Sequence, residues 1–264
     1  MTSVNITSIR FSNFKSLKNY VISLQDMNVL VGPNNSGKST IISALRILEV
    51  ALRRAKTKNA EPVRLPNGMR GHGHHLSLSQ LSVSLENVAT DYNDQDSRIE
   101  IRLSNRNKLH LYFPSDGGCT LHWETEGIAV TTAGRFANAF PITVQVVPVL
   151  GPLEHKEPYV TEDTVRESLS THRASRHFRN YWRYYPEGWE LFADMIEVTW
   201  IGMKIQRPEL DVASRQLTMF ASEDRIDREI YWAGFGFQIW CQLLTHISRK
   251  AESLDQSSLR GFER

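Results

Sequence analysis

Nine consecutive residues constrain this chain more than any other feature: Gly32-Pro33-Asn34-Asn35-Ser36-Gly37-Lys38-Ser39-Thr40. They match G-x-x-x-x-G-K-[ST], the phosphate-binding P-loop or Walker A pattern. Each fixed position has a physical reason. Gly32 and Gly37 let the backbone turn so that successive N–H groups point inward, around phosphate oxygens. Asn34, Asn35, Ser36 and Thr40 complete that cradle, and the helix that follows adds its positive N-terminal end. Lys38 supplies a mobile cation for the β- and γ-phosphates, and the Ser39 hydroxyl is a hard oxygen suited to Mg²⁺. The context agrees. An apolar run, Met27-Asn28-Val29-Leu30-Val31, reads as a buried strand running into the loop. After Lys38, Ile41, Ala44, Leu45, Leu48 and Leu52 recur on one helical face.

Composition leaves room for such a domain and excludes other classes. The 264 residues are 41% hydrophobic and 9% aromatic, enough for a real core and too many for a disordered chain. No run approaches the ~18 apolar residues that span a bilayer. The start lacks the pattern of a signal peptide. Two distant cysteines, Cys119 and Cys241, make no disulfide framework, so a cytoplasmic setting is expected. Net charge is only +2, but its distribution is uneven. Residues 46–70 and 166–183 carry net charges of about +5 and +4, so the rest is acidic.

Beyond the P-loop, Ile6–Phe11 and Val21–Leu24 read as strands. Residues 56–80, with two prolines and three glycines, read as an irregular insertion. Arg98–Leu103 and Leu109–Phe113 alternate around a turn, as in a hairpin. Thr120–Glu124 and Ile142–Val149 read as further strands, and 161–183 and 187–199 as helices. Met203–Gln206 and Gln216–Ala221 are short strands, and Phe237–Ser248 is a helix. The expected division is a core lobe over 1–160, a helical subdomain over 161–200, a region over 201–248 and a polar tail over 249–264.

The opening resembles the SMC/RecF/OLD group of ABC-type P-loop ATPases. The resemblance rests on a strand with Ile9-Arg10-Phe11, then Asn13-Phe14-Lys15-Ser16, then Met27–Val31 and the P-loop, in that order and spacing over about fifty residues. It implies an α/β fold with a mixed sheet and a small helical subdomain, ATP with Mg²⁺ as cofactors, and Lys15 and Ser16 beside the nucleotide. Downstream, Ala233-Gly234-Phe235-Gly236-Phe237-Gln238 looks like the group's signature motif, with Ala233 in place of the usual Ser. There Gly234, Gly236 and Gln238 would meet the γ-phosphate on a second copy, so that ATP holds two heads together. The roughly 190 residues between the two motifs hold no heptads, which fits RecF and OLD-like heads better than coiled-coil ones. The group acts in DNA repair or anti-phage defence, so DNA and an effector or nuclease are implied partners.

One element of the group is not found. After Gln238 no apolar strand ends in Asp-Glu, the Walker B element whose Asp anchors Mg²⁺ and whose Glu activates water. No catalytic residue is therefore named. The chain reads as the N-terminal part of such a head, a truncated form or one half of a split protein. A non-hydrolysing, nucleotide-dependent binding module is the alternative.

Three further signals are weaker. Gly71-His72-Gly73-His74-His75 lacks other ligands at metal-binding spacing and reads as a solvated loop. Arg176–Tyr185 interleaves cations with aromatics. It reads as an amphipathic helix with Phe178, Tyr181, Trp182 and Tyr185 inside and the arginines in water, or else as a nucleic-acid contact. Gln145 and Gln206 compete for the group's Mg²⁺-sensing glutamine.

Overall fold

A computed structural model describes the chain apart from residues 1–2, 67, 77–87, 128, 170, 172 and 260–264; side chains are also not described at 92 and 249–259. The chain divides into two compact units, Met1–Val146 and Val147–Arg264.

The first unit is a seven-stranded sheet with helices on one face. Its strands are β1 (Ile6–Phe14) and β2 (Leu17–Ser23), then, after helix α1 (Lys38–Thr57), β3 (Glu61–Arg64), β4 (Arg70–Leu76), β5 (Ser97–Leu103), β6 (Lys108–Phe113) and β7 (Cys119–Glu124). They lie in the order β2-β1-β5-β6-β7-β4-β3, and every pair is antiparallel. The fold is thus α/β because helices pack on a sheet, and not through parallel strand pairing. Alternation decides the faces: Ile99, Ile101 and Leu103 of β5 and Leu109, Leu111 and Phe113 of β6 are buried, with charged or polar residues between them. Against that inner face α1 lays Ile41, Ala44, Ile47, Leu48, Ala51, Leu52 and Ala55, and the short helix α2 (Ala133–Ala139) adds Phe136.

Four expectations for residues 27–149 are corrected. Within the stretch 56–80, expected to be an irregular insertion, β3 and β4 form an antiparallel hairpin and β4 pairs with β7, while residues 67 and 77–80 lie outside the described residues. Gly71–His75 is accordingly strand and not solvated loop, with His74 buried against Trp123. Gly73 is required by this pairing, since a Cβ there would stand 2.2 Å from the Leu121 carbonyl oxygen. Met27–Val31 is not a buried strand. It joins no sheet, and Met27, Val29 and Val31 are 82%, 73% and 88% exposed. Ile142–Val149, which crosses the boundary between the units, is likewise without strand structure.

The second unit places α3 (Glu162–Ser168), α4 (Phe178–Tyr184) and α5 (Trp189–Thr199) around an aromatic core, together with short strands. The strand β8 (Glu157–Pro158) precedes the helices. After them come β9 (Met203–Ile205), β10 (Glu209–Asp211), β11 (Gln216–Thr218), β12 (Phe220–Glu223) and β13 (Ile226–Glu229). They make two three-stranded sheets, β10-β11-β8 and β13-β12-β9. A long final helix, α6 (Phe235–Leu259), runs on through the polar stretch that begins at 249. The expected single helix over 161–183 is three pieces, because a 3-10 turn over Ala174–His177 separates α3 from α4. Trp182 stacks on Phe192 with ring centres 4.4 Å apart and donates its indole N–H to Thr245 Oγ1.

Candidate nucleotide site

In the first unit the chain leaves β2 and turns through residues 32–37 into α1. Two backbone angles there are left-handed, Asn35 at φ 65° and Gly37 at φ 89°. Gly37 is the residue before the first helical turn, and no side chain caps that turn; no acidic residue occurs in it. A helix start normally satisfies its orphan N–H groups with a Ser, Thr or Asp cap. Here they remain available to an outside anion, which is what phosphate requires. Gly37 also has no space for a side chain, since a Cβ would meet Leu17 Cδ2 at 2.8 Å and Ser16 Oγ at 3.3 Å.

Lys38 folds back over the loop. Its Nζ donates to the carbonyl oxygens of Gly32 and Pro33, at 2.6 and 2.7 Å, and to Ser36 Oγ at 3.2 Å. These are exposed bonds that a bound phosphate can replace. Ser39 is exposed, and its hydroxyl makes no hydrogen bond within the protein among the described residues; its backbone oxygen accepts from Ser43. A hard, unengaged oxygen beside uncapped helix N–H groups fits Mg²⁺ with a nucleotide phosphate. Asn34 is exposed on the same turn.

The Asn13–Ser16 element stands directly beside this loop. Ser16 Oγ and Thr40 Oγ1 share a hydrogen bond of 2.9 Å. Lys15 is held in a left-handed conformation, φ 49°, with its N–H on the Val88 carbonyl at 2.6 Å. Burial lowers its ammonium pKa. Asn13, which the sequence offered only as part of a resemblance, is buried and bonded through every polar atom of its side chain to residues 90–95. Its partner Asn93 has no signal in the sequence.

In the second unit, residues 229–234 lead into α6. Gly234 and Gly236 are exposed at the helix start, and Phe235 beside them is 57% exposed. Gln238 points the other way. It is 5% exposed, accepts from the Leu153 N–H at 3.0 Å, and donates to the carbonyls of Tyr231 and Ala233 at 2.7 and 2.9 Å. Its amide therefore draws two carbonyls inward behind the glycines. Gln206 is held at the β9 end, bonded through its side chain to Asp227 at 3.3 Å, while Gln145 is exposed. Among the described residues no group of three His, Cys, Asp or Glu side chains converges as metal ligands. No helix among them is long and apolar enough to cross a membrane.

Residues 5–123 match the model of a family described as the AAA ATPase domain. The match covers 119 of the 264 residues. It spans β1 to β7 and includes the P-loop and the Asn13–Ser16 element. No curated protein matches the chain. Among solved structures, an Smc head bound to the C-terminal winged-helix domain of ScpA is 16% identical. That match covers 92% of this chain and 76% of the other, with a TM-score of 0.46. An Smc head with an extended coiled coil, derived from Pyrococcus furiosus, is 14% identical over 93% and 79%, with a TM-score of 0.45. The recombination mediator RecF with ATP is 12% identical over 93% and 81%, with a TM-score of 0.42. The expectation of an ATPase domain is supported over residues 5–123 by the family match.

Proposed function

We propose that this ATPase domain binds ATP with Mg²⁺ and that the bound nucleotide joins two copies of the chain, in DNA repair or anti-phage defence. The observation that carries the reading is the uncapped start of α1, with Gly37 at φ 89° and Lys38 folded over the turn. Phosphate oxygens would take the N–H groups of residues 37–40 and draw Lys38 Nζ off the Gly32 and Pro33 carbonyls. Ser39 Oγ would hold Mg²⁺, whose charge offsets that of the phosphates. Lys15 and Ser16 stand at the edge of the same loop, where Lys15 adds positive charge. On the second copy, Gly234 and Gly236 would present the N–H groups at the start of α6, with Gln238 behind them. DNA and an effector or nuclease are the partners this reading implies, in the cytoplasm.

The deciding experiment is calorimetry of ATP binding by the 264-residue chain and by Lys38→Ala. Loss of the cation removes charge-assisted bonds to phosphate and should abolish measurable binding. Equal affinity in a folded Lys38→Ala protein would refute the assignment. Sedimentation with and without ATP then tests the association.

A further inference from the structure

We propose that Asn93, 55 residues beyond the P-loop helix start in sequence, is a positioning residue for nucleotide binding that acts through Asn13 and Ser16. The proposal rests on the nucleotide reading above and adds a residue to it.

The turn from Asn13 to Leu17 closes the β1–β2 hairpin, where Phe14 pairs with Leu17, and two of its residues have unusual backbone angles. Asn13 and Lys15 both have left-handed backbones, φ 55° and 49°, a region that suits Asn and disfavours Lys. Conformations of this kind persist when their surroundings over-determine them. The surroundings are residues 88–97. Asn13 Nδ2 donates to Asn93 Oδ1, and Asn93 Nδ2 donates back to Asn13 Oδ1, both at 2.9 Å. Asn13 Nδ2 also donates to the Gln95 carbonyl at 3.0 Å, and its Oδ1 accepts from the Thr90 N–H at 3.2 Å. Ser97 Oγ donates to the Asn13 carbonyl, Phe14 bridges to Ala89, and the Lys15 N–H reaches the Val88 carbonyl.

The far end of the turn touches the P-loop. Ser16 Oγ bonds to Thr40 Oγ1 in the first turn of α1, and Ser16 and Leu17 together fill the space where a Gly37 side chain would go. Asn93 therefore does not touch nucleotide. It fixes Asn13, which fixes the turn, which sets Ser16 against the helix start that receives phosphate. Of the groups around Asn13, Asn93 is the only side chain that pairs with both ends of its amide among the described residues.

The test is a double-mutant cycle on the full 264-residue chain, read as affinity for a fluorescent ATP analogue, with thermal unfolding followed in parallel. Asn93→Ala and Ser16→Ala should each weaken affinity about three- to tenfold, as expected for losing one or two partly exposed hydrogen bonds. The double variant should be no weaker than the weaker single variant, because both act on one contact. Ser16→Thr, which keeps the hydroxyl, should lose less affinity than Ser16→Ala. If Asn93→Ala does not fold, Asn93→Asp keeps the acceptor and removes only the donor, and should weaken affinity to the same degree. Additive effects, or normal affinity in folded Asn93 variants, would overturn the proposal. Failure of the wild type to bind, or binding that Lys38→Ala leaves unchanged, would instead overturn the nucleotide reading and this proposal with it.

Discussion

Arg179 donates from Nε and Nη2 to one oxygen of Glu229, at 2.8 and 2.7 Å, although fifty residues separate them. Its Nη1 reaches Glu157 Oε2 at 3.1 Å, and the other oxygen of Glu157 accepts from the backbone and side chain of Asn180. The Arg179 side chain is 0% exposed. This corrects the reading of Arg176–Tyr185 as an amphipathic helix with its arginines in water. Burial pushes the Glu157 carboxyl up, while the bonds from Asn180 and Arg179 pull it down, and burial dominates. Glu229 in turn accepts from the Met219 and Tyr231 N–H groups, so the same ion cluster anchors the turn that leads to Gly234.

The exposed and buried arginines should therefore separate in experiment. Arg179→Ala leaves two carboxylates without their counter-charge and should destabilise the second unit by about 3–5 kcal/mol. Arg173→Glu and Arg183→Glu alter exposed positions and should shift stability by less than ~0.5 kcal/mol. Any DNA affinity should fall with salt and with the exposed reversals. Unfolding curves and filter binding on the same proteins check both. An Arg179→Ala protein as stable as wild type would contradict the buried cluster.

Gly37→Ala is a stringent test of the loop geometry. The substitution forces a Cβ into a left-handed position and against Leu17 and Ser16. It should cost about 1–3 kcal/mol and weaken ATP binding sharply. Gly117→Ala, also at positive φ but with open space around it, should cost backbone strain alone and leave ATP affinity unchanged. Comparing the two by unfolding and by nucleotide titration isolates the steric part.

Acid should weaken the first unit through a stacked histidine pair. His110 and His122 face each other across β6 and β7, with ring centres 4.8 Å apart and planes within 10°. Burial, and then the neighbouring His110, lower the His122 pKa to about 4; burial lowers His110 as well, against the pull of Glu124 and Glu100. A lowered folded-state pKa means that the unfolded chain takes up the proton first. Stability is then full above the ordinary histidine value of ~6.5 and falls as pH drops towards 4. The expected slope from His122 approaches 1.4 kcal/mol per pH unit in that window. His122→Gln should flatten this limb in denaturant titrations between pH 7 and 4.

The features legible in the sequence were those that local chemistry dictates. The P-loop, α1 and the β5–β6 hairpin follow from glycine positions, helical periodicity and strict alternation. What failed depended on distant partners. The charges of 166–183 do not reveal that Glu229 and Glu157 enclose Arg179. The glycines of 71–75 conceal a strand, because Gly73 is there for the close approach of β7 and not for a loop. Asn13 was legible as part of a motif, but its amide partner Asn93 carries no local mark at all.

Met27–Val31 is apolar yet exposed, for a related reason. An apolar run predicts burial only where something covers it. Here the segment follows β2 without joining it, and its backbone makes no hydrogen bond among the described residues. Val31→Lys should therefore leave the unfolding midpoint of the first unit unchanged. In a buried strand the same change would cost several kcal/mol. An exposed apolar segment with open backbone groups also favours self-association, so Val31→Lys should reduce aggregation seen by light scattering. The resemblance implies an apolar run ending in an Asp-Glu that anchors Mg²⁺ and activates water, and the sequence after Gln238 holds no such run. A positioned base contributes a factor of about 10² to 10⁴ to rate. The 264-residue chain should bind ATP and hydrolyse it very slowly, with Lys38→Ala as the control for contamination. Rapid turnover that disappears in Lys38→Ala would place an active carboxylate within these residues and overturn that expectation. An unfolding midpoint lowered by Val31→Lys would show the segment to be buried in solution.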